Sequence, residues 1–168
     1  FKETIYQGRR RPKAVMLMNA NGRYPSYKIN EFLSFCTKEG INVIEDSAQS
    51  LGSYYQAGKH IGTNGIAGSF SFSMPKIITA GQGGAVISND EDLITRLRSY
   101  RDFGRFKGGN DIHNEIGLNL KYTDLQATLA LSQLNRINHI SEIKKRNFEI
   151  LLKSIESEYL YINKNDLK

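Results

Sequence analysis

The sequence predicts a three-layer α/β fold, with a mostly parallel sheet flanked by helices. Short apolar runs of strand length alternate with segments of helical periodicity, and glycine-rich or polar turns separate them. Residues 13–46 contain strand, helix and strand in about thirty residues, and such a crossover makes the two strands parallel. The 168 residues are enough for one domain with an apolar core.

The first unit begins with KAVMLMNA over residues 13–20, an apolar run of strand length that follows Pro12. A helix is predicted next, ending at Gly40, because glycine typically follows the last helical turn. Its apolar positions are Ile29, Phe32, Leu33 and Cys36. INVIED over residues 41–46 is rich in β-branched residues and predicts the second strand.

Three further β segments are predicted. Residues 52–61 (GSYYQAGKHI) are typical of a small hairpin that turns at Ala57 and Gly58. Residues 67–73 (AGSFSFS) alternate small and aromatic side chains, and residues 84–89 (GAVISN) form another strand-like run.

The remaining chain predicts helices separated by one long loop. We expect Asn89 to cap a helix over residues 90–103 that stops at Gly104. Residues 104–121 form a long loop, which in a compact domain is usually functional or mobile. The helix over 123–137 starts with Thr123 and Gln126 in capping-box spacing, and a last helix starts near Ser141.

Composition narrows the function classes. The net charge of +6 is compatible with nucleic acid, with an anionic small substrate, or with no charged partner. The densest basic cluster, GRRRPK at residues 8–13, lacks interleaved aromatics, so nucleic-acid binding is disfavoured. DIHNE at residues 111–115 has no second His or Cys at ligand spacing, so we expect no metal site.

The single cysteine and the hydropathy pattern bear on localisation. Cys36 cannot form an internal disulfide, and its place on an apolar helix face favours a core thiol over a nucleophile. No apolar run approaches the length that spans a bilayer, and no leader is apparent. We therefore expect a cytoplasmic protein without membrane contact.

Candidate functional residues follow the predicted strands, where ligands of open parallel sheets bind. Lys76 is either an ordinary exposed lysine or, if desolvated, a nucleophilic amine suited to Schiff-base formation. Asp46 either caps the SAQS turn or holds the ring nitrogen of a pyridoxal cofactor protonated. Gln49 either reaches the same ligand or is solvated, and Ser71 with the amides of AGQGGA could hold a phosphate.

Four segments in order carry a family resemblance: VIEDSAQSLGS, GSFSFSMPK, GQGGAVISNDEDLITRLRSYRDFG and IGLNLKYTDLQATLALSQL. From Lys13 to about Ile155 the chain resembles the DegT/StrS group of sugar-nucleotide aminotransferases, which are fold type I pyridoxal-phosphate enzymes. The resemblance implies that residues 1–140 are part of a cofactor-binding large domain. Residues 141–168 would then be a helix leading toward a C-terminal small domain that this chain lacks.

The resemblance also implies roles for individual residues. Lys76 matches the catalytic lysine that bonds covalently to pyridoxal 5'-phosphate. Asp46 matches the partner of the pyridine nitrogen, Gln49 a side chain near the ring and its phenolic oxygen, and Ser71 a phosphate ligand. Asn119 resembles an asparagine that reaches the phosphate of the neighbouring subunit's cofactor, which implies a homodimer with shared active sites.

The implied activity is transfer of an amino group from an amino acid, typically L-glutamate, to a nucleotide-linked keto sugar in polysaccharide or antigen biosynthesis. Lys76 argues against a dehydratase relative that has His at this position. Gln82, Ile66 and Ile77 depart from the family's usual residues and leave the substrate open. Because the chain is short for the family, the alternative is a non-catalytic or truncated relative that keeps the fold as a binding or regulatory module.

Overall fold

A computed structural model describes residues 11–24, 28–107, 109 and 111–155. Its centre is a four-stranded sheet with strand order β1-β2-β3-β4, in which β4 alone runs antiparallel to its neighbour. The strands are β1 (Ala14–Met18), β2 (Asn42–Asp46), β3 (Ala67–Ser71) and β4 (Gly84–Ile87). The prediction of a mostly parallel sheet flanked by helices is confirmed.

Four α-helices and one short 3-10 helix accompany the sheet in the described residues. They are the 3-10 helix Ala20–Gly22, α1 (Ile29–Lys38), α2 (Glu91–Arg101), α3 (Asp124–Leu134) and α4 (Ile137–Ser154). Among the residues placed here, none of these helices has both the length and the apolar character that a bilayer span requires.

The apolar core lies between α1 and one face of the sheet. Leu17 and Val43 point from the strands toward Phe35 and Cys36 of the helix. Cys36 is fully buried and its burial raises the pKa of the thiol, so the expected core thiol is confirmed. The opposite face, by strand register, presents Met16, Met18 and Val86, which are at least half exposed in the described part of the chain.

The predicted cap and ends of α2 were wrong. The cap is Asp90, not Asn89: its Oδ1 accepts a hydrogen bond from the Leu93 amide at 2.9 Å. Asn and Asp are both good caps, so local preference could not decide between adjacent residues. The helix ends at Arg101, and Phe103 (φ 59°) and Gly104 (φ 77°) then turn the chain in left-handed conformations.

The C-terminal helices differ from the prediction in their junction. The capping box of Thr123 and Gln126 is confirmed, with both reciprocal bonds present. α3 ends at Leu134 and α4 begins at Ile137, four residues before the predicted Ser141. Residues 140 and 141 both lie inside α4, and a domain boundary there stays a prediction.

The smaller expectations have mixed outcomes. The hairpin is present, since Tyr54 pairs with His60 in an antiparallel bridge and Gly58 has φ 77°. Both β3 and β4 are two residues shorter than predicted at their ends. Of the basic cluster at residues 8–13, the first three lie outside the described residues, and Arg11 forms an ion pair with Glu39 at 2.9 Å.

Candidate active site

A cavity of about 410 Å³ opens at the carboxyl end of β3. Three of the five predicted site residues line it: Gln49, Ser71 and Lys76. A volume of this size lies within the range of roughly 300–1,000 Å³ that small-molecule sites occupy. Of the residues that the strand-end rule assigned to one crevice, Ser71 and Lys76 line this cavity and Asp46 does not. Asn119, which was assigned from the family resemblance, does not line it either.

Lys76 sits on the turn that follows β3 and is half-buried. The backbone amide of Lys76 closes the turn by donating to the Ser73 carbonyl at 3.1 Å. Its ammonium makes no ion pair or hydrogen bond to the described residues. Lys144 of α4 lines the same cavity, and the described residues of its wall include no carboxylate, so the cavity favours an anionic ligand.

Ser71 is the last residue of β3, and its hydroxyl lies next to that of Ser73. Its Oγ lies 3.0 Å from Ser73 Oγ and accepts a hydrogen bond from the Ser73 amide at 3.3 Å. Two adjacent hydroxyls can donate to the oxygens of one anion. Sequence analysis had not singled out Ser73, although its two-residue spacing from Ser71 was visible.

Gln49 is oriented by the segment that follows β1. Its Oε1 accepts a hydrogen bond from the Asn21 amide at 2.9 Å, and Asn21 adopts a left-handed conformation with φ 54°. The Nε2 of Gln49 has no partner among the described residues. The side chain is thus anchored at its oxygen and keeps its amide hydrogens for a ligand.

Asp46 ends β2 beside the cavity but does not line it. Its Oδ1 accepts a hydrogen bond from the Ala48 amide at 3.2 Å, which is the turn-capping role that sequence analysis left open. The second carboxylate oxygen has no partner among the described residues. Capping and ligand binding are therefore compatible at this residue.

The glycine-rich loop packs against α3 and does not line the cavity. The structure places Gly83 so close to the Tyr122 ring that a Cβ atom would clash with it, and Gly83 has φ 118°. Gln126 Nε2 donates to the Gln82 carbonyl at 3.3 Å. The predicted contribution of this loop's amides to phosphate binding stays a prediction.

Asn119 lies outside the cavity, on an exposed strap formed by residues 116–121. The strap pairs with the end of α2 through a bridge between Asn119 and Asp102. Asp102 is ion-paired with Arg105 at 2.7 Å and Lys121 at 3.3 Å, and the hydrogen bond from Arg105 lowers the pKa of Asp102. Lys121 also lies 3.8 Å from the centroid of the Phe103 ring.

Sequence analysis missed Glu45, a fully buried carboxylate directly before Asp46. It accepts hydrogen bonds from the Tyr55 hydroxyl at 2.5 Å and the Gly62 amide at 2.8 Å. The amides of Asn64 and Gly65 donate to its other oxygen at 2.5 and 2.7 Å. Strand alternation places Glu45 on the core side with Val43, which was the available signal.

No three His, Cys, Asp or Glu side chains among the described residues are grouped so that they could hold a metal ion. His113 Nδ1 instead lies 2.8 Å from the Phe103 carbonyl. The predicted absence of a metal stays a prediction.

Comparison with known proteins gives consistent matches. A sequence model of the DegT/DnrJ/EryC1/StrS aminotransferase family matches residues 3–163. The putative pyridoxal phosphate-dependent aminotransferase EpsN of Bacillus subtilis is 39% identical over 82% of this chain and 34% of that protein. The GDP-perosamine synthase of Vibrio cholerae is 32% identical over 84% of this chain and 38% of that protein.

A solved structure shows the same architecture. A DegT DnrJ EryC1 StrS aminotransferase from Brucella abortus superimposes with a TM-score of 0.75 at 30% identity, covering 95% of this chain and 43% of that one. The chain thus spans little more than a third of the length of the two relatives above.

Proposed function

The chain belongs to the DegT/DnrJ/EryC1/StrS aminotransferase family, and we propose that the protein containing it is a pyridoxal phosphate-dependent aminotransferase acting on nucleotide-linked keto sugars. The supporting observation is the position of Lys76 in a ligand-sized cavity with Ser71 and Gln49, without a described carboxylate in the wall. A half-buried amine in such a cavity suits carbonyl chemistry.

The residues present fit the cofactor. Ser71 and Ser73 offer paired hydroxyls for its phosphate, and Gln49 offers unengaged amide hydrogens for its ring oxygen. Asp46 has an unpaired carboxylate oxygen for its ring nitrogen, and Lys76 has an unpaired amine for its carbonyl carbon. When bound, pyridoxal phosphate supplies an electron-withdrawing ring that stabilises negative charge at the Cα of an amino acid.

Lys76 then acts as acid and base through its Nζ atom. With the cofactor bound, the Nζ of Lys76 would accept the proton from the Cα of the amino donor and hold it for return to the cofactor–donor pair, so that no proton is lost to solvent. Pro75 and Ile77 flank Lys76 in the sequence and line the same cavity. The second carboxylate oxygen of Asp46 would accept a hydrogen bond from the ring nitrogen of the cofactor.

The substrate class follows from charge and from a relative's name. Lys144 brings a second cation to the cavity, and the chain has a net charge of +6. A nucleoside diphosphate is an anion that such a surface attracts. The name of the relative GDP-perosamine synthase supports a nucleotide-linked sugar as amino acceptor. An amino acid such as L-glutamate as donor is part of the proposal and rests on the family resemblance.

We place the protein in the cytoplasm as a homodimer with shared active sites. Asn119 does not line its own cavity and projects from a strap with exposed apolar residues. The apolar patch of strap and α3 consists of Ile116, Leu118, Leu120, Leu125 and Leu129, which are 91, 47, 58, 82 and 56% exposed. A patch of this kind is suited to cover by a second subunit, to whose cavity Asn119 would contribute.

Mapping of the cofactor adduct tests the proposal. The full-length protein is mixed with pyridoxal phosphate and reduced with borohydride, and the adduct is located by peptide mass spectrometry. We expect one adduct, at Lys76, and amination of nucleotide keto sugars. Lys76→Ala should remove the adduct and lower kcat by about 10²–10⁴-fold, whereas Lys59→Ala, at an exposed hairpin lysine, should change neither.

Two outcomes would count against the proposal in different ways. Adducts scattered over surface lysines would mean that Lys76 does not form a cofactor site. An adduct confined to Lys76 without amination of any nucleotide keto sugar would favour the alternative of a binding or regulatory module.

A further inference from the structure

The turn that carries Asp46 and Gln49 is held by a buried asparagine that follows β1. Asn19 is 1% exposed and makes three contacts with residues 46–50. Its backbone amide donates to the Asp46 carbonyl at 2.9 Å, and its side-chain Nδ2 donates to Ser47 Oγ at 3.1 Å. Its carbonyl accepts a hydrogen bond from Ser50 Oγ at 2.5 Å. One buried residue thus contacts the start, middle and end of the turn.

The chemistry at this position requires a side chain with two N–H groups. Besides Ser47, the Nδ2 of Asn19 lies 3.4 Å from Glu45 Oε2. An ionised carboxylate only accepts hydrogen bonds, so this neighbour requires a donor. A leucine at position 19 would leave Ser47 Oγ and Glu45 Oε2 without the Nδ2 donor. An aspartate would put a second carboxylate against Glu45.

The same segment also orients Gln49. Asn19 directly precedes the 3-10 helix Ala20–Gly22, in which the Asn21 amide donates to Gln49 Oε1 at 2.9 Å. Gly22 is packed tightly there, because a Cβ atom would lie 2.6 Å from Ser53 Oγ. The position of Asn19 therefore fixes both the turn and the segment that holds the Gln49 side chain.

We propose that Asn19 is a positioning residue that sets the Asp46–Gln49 turn for cofactor binding. Asn19 lines no part of the cavity, so it acts through Ser47, Ser50 and Asn21. The inference rests on the proposed function, because it takes Asp46 and Gln49 to be cofactor ligands.

Hydrogen–deuterium exchange and cofactor spectroscopy on the full-length protein test it. In the cofactor-free protein, Asn19→Leu should speed exchange of the amides in residues 46–53 by about tenfold, because it removes the Nδ2 hydrogen bond to Ser47 while the two backbone contacts of residue 19 remain. With cofactor bound, the pH titration of its absorbance should shift, because Ser47 loses its contact with the Asn19 side chain and the adjacent Asp46 is then less firmly held. Pyridoxal phosphate affinity should fall about tenfold.

Cys36→Ala is the matched control. Cys36 is fully buried in an apolar cluster that includes none of residues 46–53, so its truncation should destabilise the core without removing a hydrogen bond of the turn. It should leave both the exchange of residues 46–53 and the absorbance titration at wild-type values. If Asn19→Leu does not fold, Ser50→Ala removes the hydrogen bond to the Asn19 backbone carbonyl and should speed exchange of the same amides.

The results separate the two proposals. Unchanged exchange in residues 46–53 would overturn the positioning role, and so would faster exchange with unchanged affinity and titration. If the wild-type protein binds no pyridoxal phosphate, the proposed function fails and Asn19 cannot position a cofactor site. The exchange data would then still decide whether Asn19 holds the turn.

Discussion

Tyr55 shows how one buried residue makes the stability of the fold depend on pH. Its ring is 4% exposed and its hydroxyl donates to Glu45. Burial raises the pKa of Tyr55 above its ordinary value of 10.0, and the hydrogen bond and negative charge of Glu45 raise it further. The phenol therefore stays protonated in the folded protein at pH values where it ionises in the unfolded chain.

We predict that this residue contributes to alkaline unfolding. Above about pH 10 the unfolded chain releases a proton that the folded chain retains, so the free energy of unfolding falls as pH rises, by up to about 1.4 kcal/mol per pH unit. Tyr55→Phe should make this decline shallower. Urea unfolding of the full-length protein at several alkaline pH values measures it.

Tyr54→Phe is the matched control, because Tyr54 precedes Tyr55 in the same hairpin but is 60% exposed. This variant should keep the wild-type decline. If the free energy of unfolding declines equally with pH in wild type and Tyr55→Phe, the buried phenol does not account for the alkaline unfolding.

At the scale of elements, the strap of residues 116–121 is held to the end of α2 by backbone pairing and by charge. Leu118 donates its amide to the Tyr100 carbonyl at 2.7 Å, and Leu120 donates to Arg101 at 2.9 Å. Asp102 joins the two segments through its ion pair with Lys121. These contacts set the direction of Asn119, which lies between the paired residues.

Removing the Asp102 charge should loosen the strap at neutral pH. The pKa of Asp102 is below its ordinary value of 3.8, so the ion pairs stabilise the fold above that pH and their contribution is lost as pH falls through the folded-state pKa. Asp102→Asn should therefore lower Tm at neutral pH, with a difference from wild type that shrinks as the pH falls below the ordinary value of 3.8. Thermal scans across this range measure the difference.

Asp92→Asn serves as control, since Asp92 is an exposed acid on α2 that has no ion pair in the described structure. Its effect should be smaller, and added salt should reduce the Asp102 effect. A Tm difference for Asp102→Asn that does not depend on pH would contradict the role assigned to its charge.

At the scale of the whole molecule, the described chain leaves two apolar surfaces uncovered. One is the sheet face with Met16, Met18 and Val86, and the other is the apolar patch of strap and α3. The chain spans little more than a third of the length of its relatives. The proposed dimer assigns the apolar patch to the second subunit, which places Lys76 and Asn119 of one active site on different chains.

Subunit mixing should reveal this arrangement. Lys76→Ala and Asn119→Ala full-length proteins should each be impaired, but a mixed dimer has one active site with both residues intact. Random exchange of subunits should therefore restore about a quarter of wild-type activity. The measurement is amination of a nucleotide keto sugar before and after mixing.

Leu125→Glu tests whether the apolar patch forms the dimer interface. A charge in this patch should dissociate the dimer, which sedimentation velocity measures. Arg96→Glu, on an exposed position of α2, is the control and should remain dimeric. No recovery of activity after verified subunit exchange would show that Asn119 and Lys76 serve the same chain.

The sequence alone determined the features that depend on neighbouring residues. The strands and helices follow from local periodicity, and the capping box of Thr123 and Gln126 follows from a three-residue spacing. Lys76 and Ser71 come together because both belong to one strand end and its turn. The family resemblance likewise rests on motifs that are continuous in sequence.

Only the tertiary structure decided what is buried, paired or separated across the chain. Asn19 is a polar residue without a local signal for burial, and strand alternation puts Glu45 on the core side without showing which groups would bind it. Both are buried beside hydrogen-bond partners that lie 10–31 positions away in the sequence. Asn119 is kept out of its own cavity by long-range pairing with Asp102. Burial of a polar group costs free energy unless hydrogen-bond donors or acceptors compensate it. Where those partners are distant in sequence, a local sequence pattern cannot identify them.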